Sequence, residues 1–368
     1  MDKNIFWCKT CLNMSTRNRI EFDDKGRCNA CVWSDEKKTL DWSKREKEFL
    51  ELVKRTKEKS TGLYDVIVPV SGGKDGSYVT HTLANRYNLR VLCVTVNPPT
   101  RSDIGHLNLE NFKLKSGVPL IEINVPSEES RILNSRGFIE QGRPLYGWTT
   151  SIFSSVVRVA KYFGVNLIMY GEDGEIEYGG STESKYKPSF SAEFIKRVYL
   201  EGETNNAFRG FTDTQKYWWD FDFDDLSSIE LAHWSYFEEW DPYRNYIVAK
   251  ENYGLTERQE ANTGTYTNFA QNDNFLYDLH TYLMYLKFGF GRGTQDVGID
   301  IRRGALSREQ GKQIAQMYDN HFPKEYLDNY LEYYQIDKEK FMSVLDNHVN
   351  KQLFEKKGDF WMPKFEIK

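Results

Sequence analysis

The chain lacks any run of about 18 apolar residues, the least that crosses a bilayer as a helix, so no membrane span is expected. Its opening residues, Met1-Asp2-Lys3-Asn4-Ile5-Phe6-Trp7-Cys8, have no apolar core of a signal peptide, and a cytoplasmic location is expected. A basic excess is missing as well. With 49 Lys and Arg against 54 Asp and Glu, the net charge is −5, unlike a dedicated nucleic-acid binder, so nucleic acid is a disfavoured partner. Internal repeats and low-complexity segments are absent. Cysteine is scarce, five in 368 residues, but four of the five fall in the first 31 positions.

Those four form two pairs, Cys8-x2-Cys11 and Cys28-x2-Cys31. In a reducing compartment such pairs read as a tetrahedral thiolate zinc site, each pair supplying two ligands from a tight turn. Disulfides need an export signal, and an iron–sulfur cluster suits the paired spacing less well. A segment of roughly 30 residues cannot bury a core of its own, so the metal would supply its folding energy. Four protein ligands leave no open position, which predicts a structural role. Aromatic residues are abundant at 15%; an aromatic-rich core explains them most simply, with an open platform or docking surface as the alternative.

The organisation expected is a zinc ribbon over 1–36, a linker helix over 37–61, an α/β domain over 62–306 and a helical region over 307–368. Leu40, Phe49, Leu50 and Val53 give the charged stretch Asp35 to Ser60 an amphipathic spacing. Tyr64 to Val70 is a continuous apolar run of the kind buried in parallel sheets. Strands at Arg90–Val96, Pro119–Val125 and Asn166–Tyr170 then alternate with helices near Gly76–Tyr87, Asp103–Ser116 and Trp148–Phe163. That alternation predicts a doubly wound parallel sheet, with ligands beyond the carboxyl ends of the strands. From about 174 the alternation fades into an acidic, aromatic stretch near 211–243, read as an insertion: a lid, a partner surface or packed irregular structure. Later, Asp273–Lys287 has helical periodicity, Gly289–Thr294 reads as a glycine-rich loop, and Ser307 is a possible helix cap.

Ser71-Gly72-Gly73-Lys74-Asp75-Gly76-Ser77 is the most informative segment. A loop leading from a buried strand into a helix leaves backbone N–H groups that converge on an anion, and glycines let the chain approach phosphates closely. Lys74 adds a mobile cation, Ser71 or Ser77 a hydroxyl, and Asp75 either orients the loop or holds Mg²⁺. The pattern is neither a Walker loop nor a dinucleotide fingerprint. It resembles the Ser-Gly-Gly-x-Asp-Ser loop of the ATP-pyrophosphatase (PP-loop) families, which cleave ATP between the α and β phosphates and have a HUP-like α/β fold. The sixth position departs from that pattern, Gly76 standing where those families have Ser. Glu172 and Asp173, at the end of another strand, are candidate metal ligands or bases, or else a solvated acidic turn.

Two further stretches narrow the resemblance: Gly264-Thr265-Tyr266-Thr267-Asn268, and Tyr277-Asp278-Leu279-His280 running through Arg292 to Asp300-Ile301-Arg302-Arg303-Gly304. With the cysteine pairs and the loop, they look like the N-acetyl sugar amidotransferases of lipopolysaccharide O-antigen and related surface-glycan biosynthesis. The resemblance implies conversion of an acetamido group, on a nucleotide-linked N-acetyl sugar, to an acetamidino group. ATP with Mg²⁺ would activate the amide oxygen, ammonia would be the nucleophile, and AMP and pyrophosphate would leave. It also implies partner subunits similar to the glutaminase and cyclase of imidazole-glycerol-phosphate synthase, with an ammonia channel between them.

Arg292, Arg302 and Arg303 are candidates for gripping the substrate, since arginine suits bidentate phosphate contacts; a turn with surface arginines is the plainer account. Tyr266 is a weaker substrate-contact candidate. His280 reads as a packed helix histidine before a base, and Cys93, inside a strand, as a buried structural thiol. A different class of reading is a tRNA-modifying thiolase-like enzyme, disfavoured by the acidic balance and the shortage of spare cysteines. A third is a nucleotide-binding scaffold in which Gly76 marks lost activity.

Overall fold

The structure is a computed structural model and describes residues 5–202, 205–220, 228–358 and 360–368. Its centre is a five-stranded sheet of β1 (Val66–Pro69), β2 (Val91–Val96), β3 (Leu120–Ile123), β4 (Leu167–Tyr170) and β5 (Glu230–His233), in the order β3-β2-β1-β4-β5. Every neighbouring pair is parallel. Alternate residues of the strands feed two cores, because successive side chains of a strand point to opposite faces. Val66, Val68, Val91 and Cys93 enter one core; Ile67, Leu92 and Val94 enter the other.

Helices cover both faces. In chain order they begin with α1 (Asn29–Lys37), α2 (Trp42–Lys59), α3 (Lys74–His81), α4 (Asp103–Ser116), α5 (Ser127–Arg136) and α6 (Tyr146–Phe163). Phe49, Leu52 and Val53 of α2, Tyr78 and Val79 of α3 and Phe112 of α4 pack on the first face. Val156, Val157 and Ala160 of α6 pack on the second. The doubly wound α/β sheet is therefore present. Strand order reverses between β1 and β4, so the crevice beyond their carboxyl ends is the place where such sheets bind ligands.

Several details differ from the expectations. The stretch Asp35–Ser60 is not one helix: α1 starts inside the cysteine module and contains Cys31, and α2 restarts after Asp41, whose carboxylate accepts from the Lys44 amide at 3.0 Å. Nor is α2 a free linker, since its apolar stripe is part of the sheet's core. The helix after the loop begins at Lys74 and passes into a π-helical turn over Thr82–Arg86. The segment 211–243 contains β5, so part of what reads as an insertion is the edge strand of the main sheet. Its short length and acidic flanks hide a strand pattern. In the same segment Trp219 is fully buried and donates to the Gly147 carbonyl at 2.9 Å. Phe221 to Asp225 lie outside the described residues.

The chain continues through α7 (Gly174–Tyr178), α8 (Pro242–Tyr253), α9 (Leu276–Phe288), α10 (Arg292–Arg302), α11 (Arg308–Tyr318), α12 (Leu327–Tyr334) and α13 (Lys338–His348). Ser307 starts α11 with a reciprocal capping box to Gln310. The C-terminal region ends in an antiparallel hairpin, β6 (Phe354–Lys357) with β7 (Phe360–Pro363), where only helix was expected. Tyr330, Phe341 and Phe354 share one core with Leu92 and Val94, so this region belongs to the core on that face of the sheet. Among the described residues no helix is long and apolar enough to cross a membrane.

Candidate functional site

At the sheet's reversal point, β1 runs into α3 through the glycine loop. Gly72 has φ 84°, and a Cβ there would meet the backbone of Asn108 and Leu109 in α4 at 2.5–2.7 Å, so only glycine fits. Gly73 caps α3, which places Lys74 and Asp75 in its first turn. A cavity of about 220 Å³ opens above them, lined by Ser71, Gly73, Lys74, Asp75 and Gly76 from the loop. Glu172 comes from the end of β4, Asn108 from α4, Asp273 and Tyr277 from the start of α9, and Arg292 from the start of α10.

The loop's charges are arranged in pairs. Lys74 Nζ donates to Asp75 Oδ2. The other oxygen, Oδ1, accepts from Asn245 Nδ2 at 2.8 Å and from Trp240 Nε1 at 3.2 Å. Burial pushes the Asp75 carboxyl up, but Lys74 and these donors outweigh it and hold the group below the usual carboxylate range. Glu172 has the opposite balance. Burial and then the neighbouring Asp75 raise it to about 7, against a smaller pull from Lys74. Two carboxyls facing one cavity with unlike proton affinity is an arrangement that a divalent cation would relieve. Mg²⁺ is held typically by one or two carboxylates plus substrate phosphates, and Asp75 with Glu172 fit that demand.

Arg292 is nearly buried, with Nε 3.0 Å from Asp296 Oδ2. The same carboxylate oxygen accepts from Thr265 Oγ1 at 2.6 Å and Thr267 Oγ1 at 3.0 Å, so the 264–268 stretch positions Arg292. The neighbouring glycine-rich segment is not an anion cradle. Its amides at Gly291 and Thr294 both donate, at 2.9 Å, to the buried carboxylate of Asp319, which occupies the start of α10.

Other candidates sit elsewhere. Asp173 faces away from the cavity: it caps α7 through the Glu175 and Ile176 amides at 3.0 and 3.4 Å and accepts from Ser184 and Tyr199. Its acceptor sites are used by the scaffold. Ser77 is buried away from the cavity and its hydroxyl has no partner among the described residues, so it does not stand in for the missing serine. Gly76 has a steric reason: a Cβ there would lie 2.9 Å from the Pro69 carbonyl and 3.1 Å from Val70 Cα. Tyr266 donates to Asp300 at 2.5 Å. Arg302 donates to the Glu177 carbonyl at 3.0 Å, and Arg303 lies 4.0 Å over the Tyr243 ring. His280 lines a separate cavity with Arg17 and Lys287. Burial in β2 pushes the Cys93 thiol up to about 12, which favours the protonated thiol over the nucleophilic thiolate.

Trp240, Asn245 and Asp273 are site residues that the sequence did not reveal. The first two lie 165 and 170 positions from Asp75, with no local motif to mark them. The polar run Gln271-Asn272-Asp273-Asn274 was the one visible signal.

The four N-terminal cysteines are buried, with their sulfurs within 4.8 Å of one another. Cys8–Cys31 and Cys11–Cys28 sulfurs are 3.7 and 3.4 Å apart. A tetrahedron with Zn–S of about 2.3 Å has edges of about 3.8 Å, so the donor set and its spacing fit zinc. Among the described residues this is the only cluster of three or more metal-ligating groups so close together.

Residues 263–366 match the family model described as LPS biosynthesis protein WbpG-like, C-terminal domain. That segment is similar to the WbpG-like C-terminal domain. The surface-glycan resemblance read from the same stretch is thereby borne out. The WbpG-like segment brings Asp273, Tyr277 and Arg292 to the cavity, while the loop and Glu172 precede it. Among solved structures, the chain is similar to NMN synthetase from Francisella tularensis at 10% identity and a TM-score of 0.28. The match covers 38% of this chain and 58% of that one, so the chain spans little more than half of that protein's length. Comparison with curated proteins gives no match.

Proposed function

We propose that the chain is an ATP-dependent, AMP-forming amidotransferase that converts the acetamido group of a nucleotide-linked N-acetyl sugar to an acetamidino group in lipopolysaccharide or related glycan biosynthesis. The observation that carries this reading is the convergence of Lys74, Asp75, Glu172 and Arg292 on one cavity at the loop between β1 and α3. The amides at the start of α3 and Lys74 receive the pyrophosphate end of ATP. Asp75 and Glu172 would hold Mg²⁺, which supplies charge neutralisation on the phosphates.

In the reaction, the amide oxygen attacks the α-phosphorus and the bond to the β-phosphate oxygen breaks, releasing pyrophosphate. Ammonia then adds to the activated carbon, loses a proton and expels AMP, leaving the amidine. Lys74 and Arg292 stabilise charge as it develops on the leaving groups; positioning and electrostatics do most of the work. The Cys93 thiol is buried and raised, which supports taking ammonia from outside this chain, from glutaminase- and cyclase-like partner subunits. Cys8, Cys11, Cys28 and Cys31 hold structural zinc in this reading.

The test incubates purified protein with ATP, Mg²⁺, an ammonium salt and UDP-N-acetyl sugars, and measures AMP and pyrophosphate. AMP release that depends on sugar and ammonium, and that is abolished in folded Lys74→Ala and Asp75→Ala variants, is the expected result. Normal turnover in both variants would remove the site. AMP release dependent on tRNA would favour the tRNA-modifying reading, and none with any substrate the scaffold.

A further inference from the structure

A second cavity, of about 430 Å³, opens between α1, α8 and α10. Lys37 and Lys38 at the end of α1, Arg244 on α8, and Arg302 and Arg303 at the end of α10 all line it. Three carboxylates share its wall: Glu177 and Asp241 are engaged internally, and Glu239 is exposed. Glu177 receives Lys37 at 2.8 Å and the Trp33 indole at 2.9 Å, and Asp241 caps α8 through the Tyr243 and Arg244 amides. Lys38 and Arg303 keep much of their surface open, with side-chain exposures of 65% and 39%, and their ion pairs are with residues of their own helices. The Lys38 pair with Asp35 is exposed on both sides and so is weak, whereas Asp300, the partner of Arg303, is buried and also accepts from Tyr243 and Tyr266.

The groove is not isolated from the loop. A narrow neck shares Lys74 and Arg292 with the loop cavity and Trp240 and Pro242 with the groove. Trp240 stands at the join, its indole N–H on Asp75. The groove and the loop cavity thus lie on either side of Trp240, joined through a neck of about 20 Å³. Convergent lysine ammoniums and the planar forks of arginine suit phosphate oxygens.

We infer that this groove binds the diphosphate of a diphosphate-linked sugar, oriented with the sugar toward Trp240 and the loop. The orientation rests on the amidotransferase reading; the diphosphate site rests on the groove's charge and shape. It also makes the cysteine module a wall of the substrate site, because α1 carries Cys31 and the two lysines together.

The experiment is calorimetric titration of the full chain with UDP, with inorganic pyrophosphate and with Mg-ATP, for wild type, Lys38→Ala/Arg303→Ala, Lys38→Glu/Arg303→Glu and Lys74→Ala. The expected result is UDP binding weakened at least tenfold by the Lys38/Arg303 changes, with Mg-ATP affinity within twofold of wild type. Lys74→Ala should show the reverse, weakening Mg-ATP and pyrophosphate and sparing UDP. The inference is overturned if wild type does not bind UDP, or if UDP affinity follows Lys74 and ignores Lys38 and Arg303. Should no sugar support AMP release while UDP binding follows Lys38 and Arg303, the amidotransferase reading falls and the groove assignment stands.

Discussion

Asn245 donates a 2.8 Å hydrogen bond to the Asp75 carboxylate and so ties α8 to the first turn of α3. The Trp240 indole reaches the same oxygen, leaving the other for Lys74. Asp75 is thus oriented by residues from a distant part of the chain, and its neighbours decide which oxygen is available to a cation.

Asn245→Ala removes a neutral donor from a part-buried carboxylate. A hydrogen bond to a charged group contributes about 1.5–3 kcal/mol, so AMP formation should fall about 10- to 100-fold while circular dichroism shows the fold retained. Turnover within twofold of wild type would mean that Asp75 does not need this anchor.

Glu172 gives the site a pH dependence whose sign follows from its raised pKa. The ordinary value is 4.5 and the folded value about 7, so the folded state favours the protonated form. That stabilisation is complete below pH 4.5 and is lost as pH rises through 7. Urea titrations of the ligand-free protein should show stability falling between about pH 5 and 8, with Glu172→Gln flattening the fall. Mg²⁺ with ATP should draw the apparent pKa of AMP formation downward. Parallel stability curves for wild type and Glu172→Gln would disprove the assignment.

Gly76 is accounted for by contact with β1, and restoring the serine of the resembling loop should be harmful. Gly76→Ser places its Cβ 2.9 Å from the Pro69 carbonyl, and such overpacking costs about 1–3 kcal/mol. Chemical denaturation should report that loss, with no gain in AMP formation. A variant as stable as wild type and more active would restore the idea that Gly76 marks a lost function.

The cysteine cluster predicts one zinc per chain by elemental analysis. Cys8→Ser should lose the metal and lower the melting temperature, because a module of this size takes its folding energy from the metal. Metal-free native protein, with Cys8→Ser melting unchanged, would contradict it.

What the sequence determined by itself was local. A buried strand, two glycines, Lys74 and Asp75 in succession specify a strand–loop–helix turn, and two Cys-x2-Cys pairs specify a sulfur cluster, because each feature lies within a few residues of chain. Ser307 was legible as a cap for the same reason, its reciprocal box to Gln310 appearing in the structure. Only the tertiary structure decided that β5 emerges from the acidic stretch, that Asn245 and Trp240 hold Asp75, and that Asp319 fills the start of α10. It likewise separated Glu172 from Asp173, neighbours of the same type with different roles. A carboxylate's chemistry depends on what it accepts from and how deeply it is buried, and those partners are brought by packing across long stretches of chain, where no local pattern records them.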